Sequence, residues 1–283
     1  MTTSEDTFTI GGDLEVQRMG FGAMRITGSG IWGEPQDTNS VRLLLRHVVD
    51  SGVNLIDTAD SYGPAVSEQL IAEALYPYPE GLVIATKGGL ERPGPGVWEP
   101  NCRPERLKRC CDDSLRRLRV ERIDLYQLHT VDPKVPIEDS VAALAELQEE
   151  EKIRHVGLCN VTVEQLGRAR EIGEVVAFQT RYNLSDRHSE EVLRACESEH
   201  LAFLPWFPLG TGELAKRGGQ LDVIARRHQA TPAQVALAWL LAHSRVTLPI
   251  PGTSSIAHFD ENVEAIELEL EDSELAELDQ LAS

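Results

Sequence analysis

The sequence predicts an α/β fold, a closed (β/α)8 barrel, and three observations predict it. Short runs of Val, Ile and Leu, the composition of strands buried on both faces, alternate with longer stretches whose apolar residues recur at helical spacing. Strand and helix alternate eight times, which suits a closed barrel better than an open sheet, and no GxGxxG fingerprint follows any strand candidate. The length, 283 residues, fits one domain spanning residues 1–283, since such barrels take roughly 250 residues.

In chain order, Phe8 to Val16 reads as a hairpin turning at Gly11-Gly12 or Gly12-Asp13, ahead of the barrel and closing its bottom. Gln17–Gly22 is the first barrel strand. The others are expected at Val53–Ile56, Leu82–Ala85, Ile123–Leu128, His155–Leu158, Val175–Phe178, Leu201–Leu204 and Val246–Ile250. Helices are expected at Thr38–Asp50, Ser67–Leu75, Pro104–Leu118, Ile137–Glu150, Val163–Ile172, His188–Glu199 and Thr231–Ala242. Pro232 and Pro104 suit first helical positions, and Thr162 with Gln165 has the spacing of a capping box.

The formal net charge of −19 argues against nucleic acid or an anionic membrane as partner, and an anionic ligand would need a local exception to that field. The polar, acidic start and the lack of an apolar run of about 20 residues point to a cytoplasmic protein without leader or membrane span. Cysteines 102, 110, 111, 159 and 196 are odd in number, form no CxxC, and make no zinc spacing with histidine. Reduced thiols and no metal are expected.

Active sites of such barrels sit at the C-terminal ends of the strands. Those ends carry Asp57, Lys87 and His129, and Tyr62 follows Asp57 in the same loop. Together they suit protonation of an oxygen that becomes an alkoxide. Free tyrosine, with a pKa of ~10, is a weak acid at neutral pH. A neighbouring ammonium lowers that value, and a carboxylate holds the ammonium in place. Lys87 is thus expected to tune Tyr62, Asp57 to anchor Lys87, and His129 to orient the oxygen. Singly, each has a duller explanation: a turn cap, a rim aromatic, a solvated lysine, a satisfied histidine. Jointly, in strand order at one face, they do not.

Asn54-Leu55-Ile56-Asp57-Thr58-Ala59-Asp60-Ser61-Tyr62-Gly63, Ala85-Thr86-Lys87 and Leu128-His129 resemble the Asp/Tyr/Lys/His tetrad of the aldo-keto reductase superfamily. The resemblance runs from Arg18 to Thr253. Gly22-Ala23-Met24, Gly30-Ile31-Trp32-Gly33, Leu75-Tyr76-Pro77-Tyr78 and Ala236–Leu241 look like its short bacterial branch, to which pyridoxal reductases belong.

The resemblance implies reduction of an aldehyde or ketone to the alcohol, with hydride from a nicotinamide cofactor and the proton from Tyr62. It implies NADPH, with NADH the alternative, lying across Gly22, Ala23, Met24 and Asp57. Asn160 and Gln179 would hold the carboxamide, with Trp206 stacked on the ring. Phe207, Leu209 and Gly210 would meet the pyrophosphate, Gly252, Thr253, Ser254 and Ser255 the phosphate at a helix start, and Glu261 and Asn262 the adenine. Two positions depart from the family: Cys159 stands where serine is usual, and His258 where many relatives place the arginine that grips the 2′-phosphate.

The substrate pocket is expected to be walled by Trp32 and Trp98, with Trp206 and Met24, and to face Tyr62 and His129. Brief loops at Val131–Pro136 and Thr211–Gly219 leave it open, suiting small aromatic aldehydes such as pyridoxal. A monomer is expected. Alternatives are a cofactor-sensing regulatory subunit, like those of potassium channels, and a Schiff-base aldolase using Lys87.

Overall fold

The computed structural model describes residues 6–212, 214, 216 and 221–281. The chain opens with β1 (Thr7–Ile10) and β2 (Leu14–Gln17), an antiparallel hairpin. Its turn is made by Gly11 and Gly12, with φ of +61° and +81° that a side chain would resist. Phe8, Ile10, Leu14 and Val16 bury one face of the hairpin in the core. Asp13 at the turn bonds His155 and Arg154, each at 2.6 Å. The Gln17 N–H donates to Asn54 Oδ1. These partners stand at the N-terminal ends of barrel strands, so the hairpin caps the bottom.

The next strands are β3 (Phe21–Gly22), β4 (Leu55–Asp57), β5 (Val83–Gly88), a small hairpin of β6 (Leu90–Glu91) and β7 (Glu99–Pro100), and β8 (Ile123–Leu128). They are followed by β9 (Ile153–Cys159), β10 (Ala177–Arg181), β11 (Ala202–Trp206) and β12 (Pro208–Thr211). Seven lie in one parallel sheet in the order β11-β10-β9-β8-β5-β4-β3. The expected eighth strand, Val246–Ile250, forms no regular ladder but does close the ring. Phe203 N–H donates to Val246 O and Leu248 N–H to Phe203 O, both at 2.8 Å, while Gly20 N–H reaches Pro249 O at 2.9 Å and Gly22 N–H reaches Pro251 O at 3.3 Å. Pro249 and Pro251 have no N–H to give back, so pairing with β3 runs in one direction only. The seam is tight as well: a Cβ on Gly22 would sit 2.5 Å from Ile250 O.

The helices are α1 (Thr38–Asp50), α2 (Val66–Leu75), α3 (Pro104–Leu118), α4 (Ile137–Glu149), α5 (Val163–Arg170), α6 (Glu190–Glu199), α7 (Leu221–Arg227), α8 (Pro232–His243), α9 (Ile256–Val263) and α10 (Asp272–Asp279). The expected start signals hold: Pro104 and Pro232 stand at the first turns of α3 and α8, and Thr162 with Gln165 forms a full capping box for α5. The structure adds an Asp37 cap on α1 and a second capping box from Thr231 and Gln234 on α8. Boundaries shift by a residue or two elsewhere, and α7 and α10 were not foreseen. With 7 and 8 residues, they complete barely two turns of the helical period.

The period of two along the strands fixes the site. On β4 and β5, Ile56 and Ile84 face outward into the cluster with Val41, Leu44 and Ile71 of α1 and α2. Thr86 points out to Glu68 of α2, at 2.6 Å. The alternate residues Asp57 and Lys87 therefore point inward. Register then aligns Lys87 with Gln127, Gln127 with Gly157, and Cys159 with Gln179. Gly157 leaves room for this layer, since a Cβ there would come within 2.8 Å of Gln127 Cγ.

Candidate active site

The inward layer is a hydrogen-bonded cluster around one buried ion pair. Lys87 Nζ donates to Asp57 Oδ2 at 2.6 Å, to Thr58 O at 2.7 Å and to Tyr62 OH at 3.5 Å. The other carboxylate oxygen, Asp57 Oδ1, accepts from Gln179 Nε2 at 2.8 Å and Gln127 Nε2 at 3.1 Å. The His129 and Tyr62 rings stand nearly perpendicular, with centroids 5.8 Å apart, and His129 Nδ1 meets Ser61 Oγ at 3.3 Å. Thus the four strand-end residues are brought together.

Their electrostatics follow from burial. Desolvation, the largest single effect, would depress the Lys87 ammonium, but the charge and hydrogen bond of Asp57, together with Tyr62 and Cys159, outweigh it and hold the ammonium above its ordinary range. Tyr62 departs from the simple expectation. Lys87 does pull its hydroxyl down, yet burial is the larger effect and pushes it up to about 12. Burial, with Lys87 as the second cause, pushes His129 well below the ordinary imidazole range, so it is neutral. A neutral imidazole can donate one hydrogen bond to an oxygen without competing for Tyr62's proton.

These side chains open onto a cleft of about 550 Å³, lined by Tyr62, His129, Asp57, Gly22, Met24, Trp98, Asn160, Gln179, Gly252 and the run from Trp206 to Gly210. A second groove of about 500 Å³ continues it, sharing Met24, Arg25, Ile31 and Gly252 and reaching Thr253 and Ser254. An elongated ligand fits the pair. Asn160 and Phe207 hold positive φ, +57° and +52°. Such backbone is costly for a bulky residue and points to imposed geometry at the site. The amide of Asn160 is fixed at both ends, donating to His129 O at 3.2 Å and accepting from Trp206 Nε1 at 3.0 Å. One proton and one lone pair remain for a ligand.

Other residues singled out from the sequence stand elsewhere. Ala23 is fully buried behind the cleft. Ser255 caps α9, its hydroxyl accepting from His258 N–H. His258, Glu261 and Asn262 lie on α9 and line neither cavity. Cys159 points into the barrel, its thiol 3.6 Å from Gln127 Oε1. Trp32 is half-buried outside the cleft, where the adjacent Ile31 takes the lining position. Of the Thr211–Gly219 segment, residues 213, 215 and 217–219 lie outside the described residues.

Two functional positions escaped the sequence reading. Gln127, mid-strand, shows itself only through its bond to Asp57. Arg25 is the one Lys or Arg among the described residues lining the two cavities, the local cation that an acidic protein needs for an anionic ligand. Among the described residues no group of His, Cys, Asp and Glu is placed to hold a metal, and no helix is long and apolar enough to cross a membrane.

The sequence model of the aldo/keto reductase family matches residues 18–283. The chain belongs to that family. It is accordingly an oxidoreductase, and its parallel barrel is the family's fold. An uncharacterised oxidoreductase of Schizosaccharomyces pombe is 49% identical over 269 residues, covering 95% of this chain and 88% of that protein. Pyridoxine 4-dehydrogenase of Escherichia coli is 42% identical over 282 residues and 98% of each chain. An aldo-keto reductase of Klebsiella pneumoniae, solved in complex with NADPH, superposes with a TM-score of 0.84 at 26% identity, covering 99% of this chain and 95% of that one.

Proposed function

We propose that the protein reduces aldehydes or ketones to alcohols with NADPH, Tyr62 giving the proton. The observation that carries this reading is the chain Asp57–Lys87–Tyr62 ending at the wall of the cleft. The hydride would come from a nicotinamide cofactor held in the long groove. Asn160 and Gln179, beside the tetrad, have amide groups suited to its carboxamide, and the Klebsiella relative solved with NADPH supports the choice of cofactor.

The protein's own residues divide the remaining work. Asp57 keeps Lys87 charged, and Lys87 favours the phenolate that Tyr62 becomes when its proton leaves. His129, neutral, donates to the substrate oxygen and stabilises the negative charge that develops there. The Lys87 ammonium also argues against a Schiff-base aldolase. It is fully buried, charged and locked to Asp57, whereas an amine nucleophile must be neutral and reachable.

The open cleft, flanked by Trp98, Trp206, Met24 and Leu90, suits flat aromatic aldehydes, pyridoxal among them, in keeping with the pyridoxine 4-dehydrogenase relative. The test is NADPH consumption with an aldehyde panel that includes pyridoxal, on the wild type and Tyr62→Phe. The variant is expected to bind NADPH normally by fluorescence and to lose roughly 100- to 10,000-fold in kcat, the range of general acid catalysis. Near-normal turnover by Tyr62→Phe would remove the assigned proton donor. Tight NADPH binding with no turnover by the wild type would favour a cofactor-sensing subunit.

A further inference from the structure

Arg92, just beyond β6, is a buried guanidinium beside the cleft, with no carboxylate partner among the described residues. Its exposure is 9%. Nη1 donates to Ser61 O at 2.9 Å and Nε to Val97 O at 3.0 Å, while Nη2 is buried without a partner among the described residues. Its planar face lies 3.6 Å from the Trp98 ring centroid and 5.5 Å from that of Trp32. Arg92 does not line the cleft, but Trp98 does, and the Trp98 ring stands edge-on to Tyr62 at 6.5 Å.

A charge buried without a counterion is costly, and this one is held by two backbone carbonyls and two indoles. The two carbonyls belong to different segments. Ser61 neighbours Tyr62 and contacts His129, and Val97 neighbours Trp98. A single rigid fork therefore ties the loop bearing the proton donor to the loop bearing the substrate wall. Lysine, with no planar face and only one nitrogen, cannot do this.

We propose that Arg92 is a positioning residue that sets selectivity for aromatic carbonyl compounds, by fixing the Trp98 ring against the Ser61–Tyr62 backbone. The inference rests on the carbonyl-reductase reading above. Trp32 acts at one remove, as the other face of the cation's slot.

The experiment compares Arg92→Lys, Arg92→Met, Trp98→Ala and the Arg92→Met/Trp98→Ala double variant, using benzaldehyde and propanal with NADPH. Both Arg92 variants are expected to raise KM for benzaldehyde about tenfold. For propanal, kcat and KM should stay within about twofold, and NADPH affinity by fluorescence should not change. Trp98→Ala should reproduce the aromatic defect, and the double variant should be no worse than Trp98→Ala, because both act through one ring. If Arg92→Met does not fold, Arg92→Lys against Trp98→Ala decides. Wild-type KM for benzaldehyde in Arg92→Lys, equal losses on both aldehydes, or additive losses in the double variant would overturn the proposal while leaving the reductase reading intact. A wild type that reduces no aldehyde would sink both.

Discussion

Replacing Asp57 with asparagine removes the counter-charge of Lys87 at almost unchanged volume. The two side chains are 3% and 0% exposed, so solvent screens little of the loss. An asparagine can still accept from Gln127 and Gln179 through its oxygen, but its NH2 then faces the Lys87 ammonium, donor against donor. If it flips, it meets the two glutamine donors instead. Breaking one side of a buried ion pair costs about 3–5 kcal/mol, equivalent to about 10 °C in Tm for a chain of this size.

The pH dependence gives the cause away. In the wild type the folded Lys87 is held above its ordinary range. Its contribution to stability is therefore fully present below about 10.4, the unfolded value, and is lost only above it. In Asp57→Asn the carboxylate that chiefly opposed burial is gone, so burial, the largest remaining influence, pulls the folded value below the unfolded one. The unfolded chain then binds the extra proton, and stability rises with pH up to about 10.4. Urea unfolding at pH 7 and pH 10 is expected to show a loss of about 4 kcal/mol, partly recovered at the higher pH. A loss under about 1 kcal/mol at pH 7, or one indifferent to pH, would refute the argument.

Burial, reinforced by the Glu68 carboxylate, pushes Asp60 up to about 7, and its Oδ1 has no partner among the described residues. Between the unfolded carboxyl value and about 7 the unfolded chain ionises first, so this group lowers stability as pH rises through that window. Asp60→Asn is therefore expected to gain on the wild type between pH 5 and pH 8, by roughly 2–3 kcal/mol; thermal melts showing the same difference at both values would contradict it. Arg25→Ala is expected to weaken NADPH binding about tenfold, because a charge-assisted bond at an exposed position retains only part of its strength. Fluorescence titrations in low and high salt measure this, and a change within twofold would exclude Arg25 from the phosphate contact.

Much of the fold was legible because local and global preferences agree. The Ile123–Leu128 strand and the Thr38–Asp50 and Pro104–Leu118 helices match the structure residue for residue, since apolar composition and periodicity mark their extent and Pro104 marks the start of the second helix. Elsewhere two patterns conflict. Val246–Ile250 has strand composition but is flanked and interrupted by prolines, so it closes the ring with isolated bonds rather than a ladder. The hairpin of β6 and β7, with two residues in each strand, is too short for any period to register.

The candidate site divides in the same way. The sequence by itself determined which strands end in Asp57, Lys87 and His129 and where Tyr62 follows, because the period of two and the barrel's polarity are properties of local order. Only the tertiary structure decided that Tyr62 is held above its ordinary value rather than below it, since desolvation depends on everything packed around the ring. It alone put Arg92, rather than substrate, against Trp32, and Arg25 at the seam of the two cavities. Those relations join residues brought together only by closure of the barrel and folding of its loops. Burial, counter-charge and contact are sums over neighbours in space, and no spacing along the chain encodes them.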